Sequence, residues 1–262
     1  MIRNVMNKTV EVDDRAGNDN LLVQHGRCFS TVRADSPALV EVAHALRYQV
    51  YCLERKFENA EEHPHGLEID AYDDHAIQGV LFHRPTQSAM GSVRMIHTRG
   101  GIPDSLPIER LLRPSSLDLS DYVNLPQTIE ISRFAISKAF RCRKSDASEA
   151  SALTHTEVAK ETQLAFLGLS QFVLREAVKQ NVLYWTAVME PKFLRLLARM
   201  GICYTPIGPL VEHHGIRQPC YCYVPYMLEY ARRVQPKCWE VLTDGGVLHD
   251  QLTGNIRELA VA

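Results

Sequence analysis

Apolar residues fall at helical spacing in three stretches of the chain and in short alternating or continuous runs between them. Leu39, Val42, Ala43, Leu46 and Val50 lie three to four residues apart and form one helical stripe, with Arg47 at its edge. Asp35-Ser36-Pro37 supplies an N-cap and a proline for the first turn, so the spacing predicts a helix from there to about residue 53. Val158, Leu164, Leu169, Phe172, Val173 and Ala177 predict a second helix over 157–180. Phe193, Leu194, Leu197 and Met200 predict a third, opened by Pro191 and closed by Gly201. Strands are expected over 21–32, 77–82, 91–97, 128–136 and 182–189, with further extended segments at 202–211 and 221–225 around a turn at Gly215. The turn at 84–86 makes 77–82 and 91–97 an antiparallel hairpin. Residues 102–114 read as a proline-broken connector, and 54–74, charged and histidine-rich without a period, as a long loop. A helix and a polar tail close the chain. This order implies an α/β (α+β) fold, a mixed and mostly antiparallel central sheet with helices on both faces. The expected organisation is a flexible leader at 1–20, one domain at 21–233 and a C-terminal extension at 234–262.

Composition narrows the class. The 262 residues are 45% hydrophobic and 23% charged, ordinary for a globular enzyme able to bury its own core. Lys and Arg number 29 against 31 Asp and Glu, so no global charge draws the molecule to nucleic acid or an anionic membrane. Seven cysteines, an odd number without a C-x-x-C pair, suggest neither a disulfide framework nor a zinc ribbon, and read as reduced thiols. No secretory pattern or run of 18 apolar residues occurs, so a cytoplasmic location without a transmembrane segment is expected.

Three short motifs carry the chemistry. The first is Arg47-Tyr48-Gln49-Val50-Tyr51 followed by Glu68-Ile69-Asp70-Ala71-Tyr72-Asp73, the second Gly91-Ser92-Val93-Arg94, and the third Glu130-Ile131-Ser132-Arg133-Phe134. Together, in this order, they resemble the acyl-homoserine-lactone synthases. They are more similar still to the exosortase-associated acyltransferases and long-chain N-acyl amino acid synthases of the GNAT superfamily. The likeness continues through Met189-Glu190-Pro191 to Gly215-Ile216-Arg217-Gln218-Pro219 and covers roughly residues 36 to 225. It implies a GNAT-like fold, transfer of a long-chain acyl group to the amine of an amino acid or similar small acceptor, and a link to exosortase-dependent sorting. Lactone synthases place tryptophans where this chain has Phe57 and Ile129, which argues against S-adenosylmethionine as the acceptor.

Glu130 is the candidate general base, since an amine attacking a thioester must lose a proton; the competing reading is an ion-pair partner for Arg133 or Arg94. Strict alternation puts Glu130, Ser132, Phe134 and Ile136 on one face of the strand and Ile131, Arg133 and Ala135 on the other, unless a bulge intervenes. Ser132 would hold the amine or a catalytic water, or satisfy a nearby carbonyl; no G-x-S-x-G elbow marks it as a nucleophile. Arg47, Arg94 and Arg133 either fix a substrate carboxylate or buttress the acids Glu68, Asp70 and Asp73, which in turn either meet the acceptor's ammonium or cap the loop. Phe134 and Arg217 complete the substrate-binding candidates. Glu212, His213 and His214 either line the acceptor pocket at a hairpin tip or form a solvated turn. His63, His65 and His75 lack the spacing of a metal site, and no metal is expected.

The glycine-rich loop with which GNAT enzymes hold coenzyme A is absent, and Lys138, Arg141, Arg143 and Lys144 occupy its place. Four cations without glycine suit the acidic surface of an acyl carrier protein better than a diphosphate, or form an ordinary solvated turn. The implied donor is the acyl-phosphopantetheine of acyl carrier protein, with acyl-CoA the weaker candidate and no tightly bound cofactor. The rivals are a signal synthase using S-adenosylmethionine and a non-catalytic module that binds acyl carrier protein.

Overall fold

The computed structural model describes residues 20–100, 102–138 and 155–259. Helix α1 (Leu21–Cys28) occupies most of the stretch expected to be strand. The Asn20 side chain accepts hydrogen bonds from the backbone of Leu22 and Val23, and this N-cap nucleates a helix that alternation could not reveal. Only Phe29–Arg33 extends, as β1. Helix α2 (Pro37–Arg47) begins where Ser36 caps it and passes into a π-helical segment, Tyr48–Glu54. β2 (Ala76–His83) and β3 (Ser88–His97) form the expected hairpin. The proline-broken connector folds in part into α3 (Pro107–Leu112). β4 (Thr128–Ile136), α4 (His155–Lys179), β5 (Tyr184–Met189) and α5 (Pro191–Arg199) follow as the spacing predicts.

The C-terminal third departs further from expectation. The 202–211 stretch contains only two short strands, β6 (Thr205–Pro206) and β7 (Val211–Glu212); β8 (Ile216–Tyr223) starts earlier than expected and gives way to helix at Val224. Three helices then close the described chain: α6 (Val224–Val234), α7 (Pro236–Thr243) and α8 (Val247–Leu259). The presumed polar tail is therefore helical. Its Cys238, Val241, Leu242, Leu248 and Leu252 are buried in the same core as Phe172 and Trp185, because each short helix turns a narrow apolar stripe inward.

Among the described residues the sheet runs β1-β2-β3-β4-β5-β8-β6, with β7 against β8, and only β4 and β5 are parallel. The larger core lies between the sheet and α4 with its C-terminal companions; a smaller one gathers Ile96, Leu106, Ile108, Leu112, Leu119 and Ile207 around α3. Two irregularities position the site. Pairing between β4 and β5 ends at Glu130 opposite Thr186, after which β4 bonds only to β3 and β5 only to β8, so the strands diverge. Opposite β3, the step from Ser92 to Arg94 is matched on β4 by the longer step from Ala135 to Ser132, a bulge with Arg133 at φ 48°.

Candidate active site

The divergence of β4 and β5 opens a cavity of about 580 Å³, with Glu130 at its apex and Ile131, Ser132, Arg133, Phe134, Val188 and Met189 along its walls. The bulge decides what each wall residue faces. Strict alternation grouped Phe134 with Glu130 and Arg133 with Ile131; the extra residue reverses both placements. Arg133 turns to the α2 side, where it bonds Glu68 and Glu58, while Phe134 turns to the α4 side and stacks on Phe166 with centroids 5.6 Å apart. One strand thus sends Glu130, Ser132 and Arg133 to a polar compartment and Ile131 and Phe134 to an apolar one.

The apolar compartment is walled by Phe134, Phe166 and Phe193, whose rings contact one another, and by Val173, Leu197 and Ile202. Burying a methylene there is favourable by about 0.8 kcal/mol, so the compartment suits a hydrocarbon chain. Phe193 escaped the motif reading because an aromatic residue on a helical stripe looks like ordinary core, and Phe166 because it belongs to neither a motif nor the stripe of its helix.

The polar compartment rests on a charge lattice. Arg47, completely buried, bonds Asp73 at 2.6 Å and also Glu68; Arg94 bonds Asp70 at 2.6 Å, Asp73 at 3.0 Å and the Ser132 hydroxyl at 2.9 Å. Arg133 grips Glu68 at 2.8 Å and Glu58 at 2.7 Å. Burial opposes ionisation of Glu68, but hydrogen bonds from Arg133 and Arg47 overcome it and hold its carboxyl at about 2. Asp73 is likewise held low, since Arg47 and Arg94 outweigh its desolvation. Arg47, Glu68 and Asp73 face one another rather than the cavity, which is the buttressing alternative. Arg94, Asp70, Ser132 and Arg133 belong to the lattice and also line the cavity.

Glu130 stands apart from this lattice. It is 3% exposed and its Oε2 accepts a 2.8 Å hydrogen bond from the backbone N–H of Ile108, in the first turn of α3. No guanidinium touches it, so the ion-pair alternative with Arg133 or Arg94 is not what the geometry forms. Desolvation raises its pKa to about 8, against the smaller downward pulls of the Ile108 N–H and Arg94.

The mouth of the cavity is framed by Tyr51, Phe57 and Glu58 on one side and His213, His214 and Arg217 of the β7–β8 turn on the other. Arg217 lies over the Phe57 ring at 5.2 Å and bonds the His214 carbonyl at 2.6 Å. His213 and His214 thereby line the cavity, while Glu212 accepts a hydrogen bond from the Gly215 N–H. His75 bonds the Ser105 carbonyl, and among the described residues no group of three or more His, Cys, Asp or Glu is placed to hold a metal ion. Of the basic loop, the backbone N–H of Lys138 donates to Glu54 at 2.8 Å and its ammonium to the Glu54 carbonyl; Arg141, Arg143 and Lys144 lie outside the described residues. No helix among the described residues is long and apolar enough to cross a membrane.

Residues 46–149 match the family model described as Acetyltransferase (GNAT) domain. Solved structures share the fold at low identity. TofI, in a ternary complex with an inhibitor and MTA, is 16% identical over 80% of this chain and 99% of its own, with a TM-score of 0.55. BjaI, a CoA-dependent acyl-homoserine lactone synthase with MTA, is 18% identical over 83% of this chain and 88% of its own, with a TM-score of 0.52. The AHL synthase LasI is 17% identical over 76% and 92%, with a TM-score of 0.50. No curated protein matches the sequence. Residues 46–149 are thus similar to a GNAT acetyltransferase domain, and the chain shares its fold with acyl-homoserine lactone synthases.

Proposed function

We propose that this GNAT-domain protein transfers a long-chain acyl group from a phosphopantetheine thioester to the amine of an amino acid or similar small acceptor, with Glu130 as general base. The observation that carries the reading is the position of Glu130, a nearly buried carboxyl where the sheet opens between an apolar and a polar compartment. The acyl chain lies against Phe134, Phe166 and Phe193. The pantetheine arm threads the gap between β4 and β5, whose main-chain groups have lost their strand partners there. A backbone N–H facing that gap polarises the thioester carbonyl and holds the oxyanion that forms. The amine nitrogen attacks the carbonyl carbon, and Glu130 takes the departing proton directly or through a water. The C–S bond then breaks, and the thiolate leaves and is reprotonated, giving an amide and free thiol without an acyl-enzyme. A carboxyl with a pKa near 8 is a far stronger base than an ordinary glutamate, and its ionised form is the one that takes the proton.

Acyl carrier protein is the proposed donor, on the strength of the glycine-free basic segment beginning at Lys138. The test is to incubate the purified protein with acyl carrier protein or coenzyme A thioesters of graded chain length and a pool of amino acids, and to read products by mass spectrometry. N-acyl amino acids formed from the carrier thioester support the proposal. Methylthioadenosine release from S-adenosylmethionine would place the protein among signal synthases, and no thioester consumption at saturating amine would make it a binding module.

A further inference from the structure

The apolar compartment has polar groups in its inner wall. Trp185 of β5 stands opposite Cys222 of β8, and the register of Thr205 with Tyr221 brings Tyr204 alongside Cys222 from the next strand. Trp185 and Tyr204 therefore share one row across the sheet, on the α4 side, and both line the cavity. Trp185 is 1% exposed and its indole N–H has no hydrogen-bond partner. The Tyr204 hydroxyl has none among the described residues, and burial raises its pKa well above the ordinary phenol value. Ser170 of α4 faces the same space; its hydroxyl donates to the Phe166 carbonyl at 2.9 Å, which leaves the oxygen able to accept. Buried tyrosine and tryptophan normally find a partner for O–H and N–H, because a buried donor left unmatched costs about 1–3 kcal/mol. Phenylalanine at both positions would wall a pocket for plain hydrocarbon without that penalty.

We infer that the chain this compartment takes carries an oxygen, hydroxyl or keto, at a mid-chain carbon, received by the Tyr204 hydroxyl and the Trp185 indole N–H. A saturated chain laid along this wall would satisfy neither donor. One oxygen accepts from them and, as a hydroxyl, gives its own proton to Ser170. Distance sets its place on the chain. The thioester carbonyl belongs in the gap beside β4, and Tyr204 leads into β6, the third strand beyond β4 after β5 and β8. Neighbouring strands lie about 4.8 Å apart, so Tyr204 is set off from β4 by roughly 14 Å, a span of several methylenes, with Trp185 along the way. The carbon next but one to the carbonyl falls short of it. The inference rests on the acyl-transfer reading for the identity of the chain, but the preference for an oxygenated chain is measurable without any transfer.

The experiment compares acyl chains of one length on the full protein. Thioesters of an unsubstituted chain, of the same chain with a β-hydroxyl, and of the same chain with a mid-chain hydroxyl or keto oxygen compete for a pool of amino acids. Wild type, Tyr204→Phe and Trp185→Phe proteins are assayed, with products read by mass spectrometry. Wild type should favour the mid-chain oxygen over the unsubstituted chain by about tenfold in kcat/KM, the worth of one net hydrogen bond. Tyr204→Phe should cancel or invert that preference while keeping its rate on the unsubstituted chain, which separates lost recognition from a damaged fold. Trp185→Phe should reduce the preference in part. A hydroxyl favoured over a keto oxygen assigns Ser170 as its acceptor, and the reverse order assigns the two donors alone. Calorimetric titration with the corresponding free acids repeats the comparison without transfer. Equal treatment of all chains, a preference for the β-hydroxyl, or a preference unmoved by both substitutions overturns the inference and leaves acyl transfer standing. Selective binding of the mid-chain oxygenated acid with no acylation of any amine keeps the site and removes the acyltransferase reading.

Discussion

Replacing Glu130 by glutamine tests the base directly, because the two side chains have nearly the same shape and only one can ionise. With a pKa of about 8, roughly a tenth of the carboxyl is ionised at pH 7 and nine-tenths at pH 9. The ratio of wild-type to variant kcat/KM should therefore climb about tenfold between those pH values, a comparison that cancels the titration of the acceptor amine. At the plateau the variant should be slower by about 10²–10⁴, the usual worth of a positioned base. Stability supplies a second readout with its own sign. The folded pKa is raised from 4.5 to about 8, so the associated stability is fully present below pH 4.5 and is lost as pH rises through 8. Over that window the loss is at most about 5 kcal/mol, at 1.36 kcal/mol for each pKa unit, less where cavity water reaches the carboxylate. Glutamine cannot ionise, so the variant should equal wild type in acid and exceed its melting temperature above pH 8. A Glu130→Gln protein with the wild-type rate and pH profile would refute the reasoning.

Other expectations follow from the same geometry. Arg133→Ala leaves Glu68 buried without one of its two guanidinium partners, and should cost about 3–5 kcal/mol in denaturant unfolding, read as a fall in midpoint without a change of slope. Because Glu68 is held at about 2, its contribution is present above pH 4.5 and is lost as pH falls toward 2. Acid unfolding monitored by circular dichroism should start higher in Arg47→Lys, which cannot reproduce the forked contact to Asp73 and Glu68. Val173→Phe fills part of the apolar compartment, and competition among thioesters should shift toward shorter chains, by roughly fourfold for each methylene excluded. Unchanged chain preference would place the acyl group elsewhere.

Much of the scaffold was legible because its signals are strong and local. Ser36-Pro37 opens α2, Pro191 opens α5, and β4 begins and ends where the apolar run does. Helix α1 was not legible, since eight residues with a buried histidine carry no stripe and its decisive feature is one Asn20 side chain. The bulge on β4, allowed for but not located from the sequence, was hidden for a related reason. A left-handed backbone usually announces itself by glycine, and here it is adopted by Arg133, which the surrounding acids hold in place. Pairing of the three arginines with the three acids was one of two readings the sequence left open, and which side chain meets which depends on that bulge and on the π-helical turn after α2. Glu130 was singled out as a base from chemistry; its isolation from the arginines is a matter of one residue of register.

The bulge on β4 also separates two inheritable traits. On the proposed function, hydrocarbon is to be met by α4 and α5 on one side of the sheet, and nitrogen by the α2 side and the β7–β8 turn on the other, with only the apex shared. Distant, non-touching substitutions combine additively. Homologous chains are thereby free to exchange one preference while conserving the other, and a laboratory library can recombine the two halves as separate blocks.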